Sequence, residues 1–63
     1  MYRALLFKVG THVQVSGRGF GCVGTITRLM PELGMYRVEN GASFWHVKVR
    51  ECAVEPIVRL SAF

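Results

Sequence analysis

MYRVENGASFWHVKV, Met35 to Val49, reads as two β-strands joined by a tight turn. Asn40-Gly41 is the turn signal, since both residue types tolerate positive φ. On either side runs a short segment rich in β-branched and aromatic residues, Met35 to Glu39 and Ser43 to Val49. With Asn40-Gly41 as the loop, Glu39 is expected opposite Ala42, Arg37 opposite Phe44, and Tyr36 opposite Trp45. Successive side chains on a strand point to opposite faces. One face of the hairpin then carries Tyr36, Val38, Trp45 and Val47, which is a core. The other carries Arg37, Phe44, His46 and Lys48. A slip of one residue would bury the charges, so the pattern fixes the register.

The rest of the chain repeats the same signals. His12 to Val15 alternates polar and apolar, and Val23 to Leu29 is a second β-rich run. Met30 to Gly34, with Pro31 inside it, is a turn. Glu51 to Ala53 is expected to turn tightly, leaving Val54 to Leu60 as a last edge strand interrupted by Pro56. No helical period is present. Short strands separated by tight turns predict an all-β fold, a small five-stranded barrel, as one domain over residues 1–63. A chain of this length buries only about 60% of its unfolded surface, so a homodimer or higher oligomer would be one source of added stability.

Charge is placed unevenly. Arg3, Lys8, Arg18 and Arg28 precede residue 32 with no acidic residue among them, and Arg37, Lys48, Arg50 and Arg59 balance Glu32, Glu39, Glu51 and Glu55. The net charge of +4 suits a polyanionic partner. The longest apolar run, Ala4 to Phe7, is far below the ~20 residues of a membrane helix, and the start lacks the features of a secretory signal. A cytoplasmic protein with no membrane partner is expected. Cys22, Cys52, His12 and His46 lack the close spacing of a zinc site, so free thiols and no metal are expected. No cofactor is indicated.

Segment 16–26, SGRGFGCVGTI, concentrates glycine. A phosphate cradle would need a lysine in the loop and a helix after it, and a strand follows instead. Gly17, Gly21 and Gly24 are read as structural, permitting a turn, a bend and close packing. Arg18 and Phe20 are placed at the loop tip. Phe20 either offers a face for a base to stack on or folds back over the barrel mouth.

The run Val13 to Ile26 resembles a KOW motif, an alternating strand followed by glycines spaced as Gly17, Gly21 and Gly24, with Ile26 two positions on. Residues 10–38 carry the KOW-like part, and YRVENGASFWHVKVRECAVEP is similar to the later strands of SH3-like barrels. The resemblance implies an SH3-like barrel and an RNA contact through the glycine loop. KOW loops often hold a lysine just before the middle glycine; here Phe20 stands there and the basic residue is Arg18. A more distant likeness is to type II dihydrofolate reductases. Their Val-Gln-Ile-Tyr motif would fall near Trp45-His46-Val47-Lys48, without the glutamine or the tyrosine, and the activity is not expected.

Two functions follow from different residues. The first is a nucleic-acid-binding module for RNA or single-stranded DNA, using Arg18, Phe20, Arg28, Arg37, Phe44, His46 and Lys48. The second is a protein-interaction adaptor using apolar ends: Tyr2, Leu5, Leu6, Phe7, Ile57, Leu60 and Phe63. Under it, residues 1–9 form an interaction arm, or an extra strand on the C-terminal segment. No enzyme is expected. The chain has no aspartate, and Ser16, Ser43 and Ser61 have no nucleophile context.

Overall fold

The computed structural model describes residues 5–57. They form an antiparallel sheet of β1 (His12–Gly17), β2 (Phe20–Met30), β3 (Met35–Asn40), β4 (Ser43–Lys48) and β5 (Cys52–Pro56), with one 3₁₀ turn at Pro31–Leu33. The all-β expectation holds. Among the described residues no helix is long and apolar enough to cross a membrane.

Strand order is β4-β3-β2-β1-β5. β2 is the common spine. Its first half pairs with β1, from Gly17↔Phe20 to His12↔Thr25, and its second half pairs with β3, from Thr25↔Glu39 to Met30↔Met35. The side chains that alternate inward gather into one cluster: Val13, Val15, Ile26, Tyr36, Val38 and Val47, all buried. Trp45, Cys22, Cys52 and Val54 pack around it. Burying each aliphatic side chain contributes roughly 1.5–3 kcal/mol, the main favourable term available to so short a chain. β4 and β5 lie at opposite ends of the order, so no backbone ladder joins them among the described residues. Partly buried side chains, Leu5, Phe7, Val49 and Val54 among them, fill in around the cluster.

The N-terminal arm supplies part of that filling. Leu5 and Phe7 pack on the core, and the Phe7 amide donates to the Tyr36 hydroxyl at 3.0 Å, with the two rings 6.2 Å apart. Gly10 donates to the Ile26 carbonyl at 2.8 Å, and Ile26 donates to that of Thr11 at 2.9 Å. Of the arm or extra strand expected over residues 1–9, the described part, residues 5–9, forms no strand and follows an irregular path beside Tyr36. Leu5 and Phe7 are half-buried against the core, while Leu6 and Ile57 are exposed. Tyr2, Leu60 and Phe63 lie outside the described residues.

The register of the hairpin differs from expectation. Asn40 pairs with Ser43, Glu39 with Phe44, Val38 with Trp45, Arg37 with His46 and Tyr36 with Val47. The turn is Gly41-Ala42, with Gly41 at φ +62°. The cause is the Asn40 side chain, whose amide donates to the Val23 carbonyl at 3.0 Å and keeps Asn40 in the strand. Each strand moved by one position, so facing survives: Tyr36, Val38 and Val47 are buried, Trp45 is half-buried, and Phe44, His46 and Lys48 are exposed.

Two further boundaries move. The turn before β5 is Val49 to Glu51, and Cys52 already pairs with Gly17. Gly17 leaves room for it, since a Cβ there would sit 3.0 Å from the Cys52 sulfur. The first hairpin turns on Arg18-Gly19 alone, with Gly19 at φ +70°, so Phe20 is the first residue of β2 and not the loop tip.

Candidate nucleic-acid interface

The face of the sheet opposite the buried cluster is built in transverse rows. His12, Thr25, Glu39 and Phe44 are successive cross-strand partners over β1 to β4. The next row is Arg28, Arg37 and His46. Arg28 joins it through a β-bulge. Pairing passes from Ile26↔Val38 to Arg28↔Arg37, leaving Thr27 as the inserted residue. Strict alternation from buried Ile26 would send Arg28 inward; the insertion brings it into the row of Arg37, and Arg28 is exposed.

Arg37 is held from two sides. Its guanidinium carbon lies 4.1 Å from the centroid of the Phe44 ring, and its Nε donates to Glu39 Oε2 at 2.8 Å. Thr27 Oγ donates to the same carboxylate oxygen at 2.8 Å. Phe44 and His46 follow, ring centroids 5.8 Å apart. An exposed cation–π contact of this kind is worth ~0.5–1 kcal/mol, enough to bias the rotamer. Much of Arg37's charge is thus already balanced by Glu39.

At the other end of β4, a cleft of about 350 Å³ opens between the first hairpin turn and the start of β5. Arg18, Phe20, His46, Lys48 and Glu51 line it. Phe20 lies on the same side of β2 as Cys22 and Ile26, and its 38% exposure makes it a wall of this cleft. His46 belongs both to the cleft and to the aromatic row. The structure thus brings together Arg18, Phe20, His46 and Lys48, and joins them through His46 to Phe44, Arg37 and Arg28. Sequence reasoning left out Glu39, Thr27 and Glu51. Glu39 had a signal, two positions from Arg37 on one strand; Thr27 had none, because the bulge is not written in the residue types.

Glu39's carboxyl is held below the usual carboxylate range, first by the bond from Arg37 and then by that from Thr27. A depressed folded-state pKa adds stability above the unfolded value and loses it as pH falls through the folded one. Glu39→Gln should therefore melt below the parent at neutral pH, with the gap closing as the buffer drops below the carboxylate range. Thermal melts of both proteins across that range check it; a constant gap would refute the assignment. On the core side Cys22 and Cys52 are both free thiols. Burial, and secondarily the neighbouring Cys52, raises the Cys22 pKa, keeping the thiol protonated at neutral pH. Among the described residues, no three His, Cys, Asp or Glu side chains come together as a metal site.

No family model, curated protein or solved structure matches the chain.

Proposed function

We propose that the protein is a small, non-enzymatic, cytoplasmic module that binds RNA or single-stranded DNA. The observation that carries this reading is the continuity of cations and exposed aromatics from Arg28 to Arg18. Base–aromatic stacking is worth about 1–3 kcal/mol per base, and Phe44, His46 and Phe20 offer rings along one path. Arg18, Arg28 and Lys48 form no salt bridge among the described residues, which leaves them for phosphates. The likeness to KOW segments and SH3-like barrels supports the same reading. Docking through apolar ends has less to work with, since Leu5 and Phe7 are folded onto the core.

Titration of labelled single-stranded RNA and DNA at two salt concentrations tests the proposal. Single strands give a slope of about −0.7 in log affinity against log salt for each phosphate neutralised, so three contacts predict a roughly twentyfold loss over a fourfold rise in salt. Absence of binding, or retention independent of salt, would overturn it.

A further inference from the structure

A second cleft opens beside the His12–Thr25–Glu39–Phe44 row, on the side away from Arg18 and Lys48. It measures about 360 Å³ and is lined by His12, Val23, Thr25, Glu39, Asn40 and Ile57. Its side walls are the exposed aliphatics Val23 and Ile57, and Gly24 contributes only backbone. Its polar groups are partly spoken for. Thr25 Oγ lies 2.8 Å from His12 Nδ1, and Glu39 Oε2 already accepts from Arg37 and Thr27. The Asn40 amide donates to Val23. Glu39 Oε1 and Asn40 Oδ1 take part in none of these bonds, and both can only accept.

A carboxylate among cations lowers affinity for phosphate, so its place beside Arg37 and Phe44 suits a donor instead. Resting on the nucleic-acid reading, we infer that this cleft receives a nucleobase bearing an exocyclic amino group, with cytosine the best fit. Its ring lies between Val23 and Ile57, and its amino group donates to Glu39 and Asn40. Carboxylates pair with the cytosine amino group in just this sense. Uracil presents a carbonyl oxygen at the same position, where it would face the Glu39 and Asn40 oxygens. The cleft adjoins the Glu39–Phe44 row, so one base stacks on Phe44 while its neighbour is read here.

Ten-residue oligocytidylate and oligouridylate, titrated at one low salt concentration, test the inference. The protein should bind the cytosine strand about tenfold more tightly. Glu39→Gln should bring the two within about twofold, because a carboxamide can accept or donate. Val23→Trp, at an exposed strand position, should fill the cleft and also collapse the ratio; it decides the matter if Glu39→Gln folds poorly. Equal affinities for the parent, or a ratio unchanged by Val23→Trp, would overturn the cleft while leaving the binding face standing. Failure of both strands to bind would overturn the face itself, and the cleft with it.

Discussion

Gly24→Ala is expected to cost the protein about 10–20 °C of melting temperature. The added Cβ would stand 2.5 Å from the Glu39 carbonyl oxygen and 2.9 Å from a methyl of Val38. Neither neighbour can yield cheaply. The oxygen is backbone in the strand paired with β2, and Val38 is fully buried. Overpacking of this kind costs roughly 1–3 kcal/mol, and each kcal/mol moves the midpoint of so small a domain by about 4–8 °C. Total stability for a domain is commonly only ~5–15 kcal/mol, and short chains sit near the low end. Gly21→Ala is the internal control. A Cβ there meets nothing nearer than the Val15 carbonyl at 3.7 Å, so its melting temperature should hold or rise slightly. Circular dichroism melts of the two variants decide the point. A Gly24→Ala protein melting within a few degrees of the parent would mean that β2 and β3 do not approach as described.

The double variant Arg18→Glu/Lys48→Glu is expected to lose roughly 50- to 100-fold in affinity for single-stranded nucleic acid at about 50 mM salt. Both side chains are exposed and line the cleft that holds Phe20 and His46. Removing two phosphate contacts should also flatten the salt dependence by about 0.7 in slope for each cation lost. Reversal adds repulsion from Glu51, which lines the same cleft. The fold should be indifferent, because exposed charges without a salt bridge contribute little to stability. The pair Arg18→Lys/Lys48→Arg keeps the charge and should bind nearly as the parent does. Fluorescence anisotropy with a labelled oligonucleotide, alongside thermal melts, gives the answer. Affinity within twofold of the parent would remove the cleft from the binding path, and a matching loss of stability would reassign the effect to folding. An adaptor docking through apolar ends predicts no change here and a loss on substitution of Leu5 and Leu6.

What could be read beforehand was mostly a matter of period. Alternation from Tyr36 to Val38 and from Phe44 to Lys48 assigned the inward and outward faces of the hairpin, and that assignment survived a displaced turn because the displacement moved both strands. The displacement itself depended on the Asn40 amide reaching Val23, a contact between residues far apart in the chain. Arg28 reached the outer face through an inserted residue that no local pattern distinguishes from ordinary strand. Phe20 was placed one step too far into the turn, because Gly19 alone supplies the positive φ that the two-residue loop needs. The Leu5-Leu6-Phe7 run was visible as unplaced apolar surface. Its destination, the hydroxyl and ring of Tyr36, required knowing where the sheet opens.

The pairing of Val13 with Pro56 and of Gly17 with Cys52 has a temporal side. During synthesis β1 can zip to β2 as soon as the Arg18-Gly19 bend has emerged, yet its other edge stays bare until the last strand is delivered. Closing so long a loop carries an entropic barrier that the nearby hairpins do not face. The β1–β5 ladder therefore closes after the local hairpins, and until it does the free margin of β1 is open to pairing with another chain.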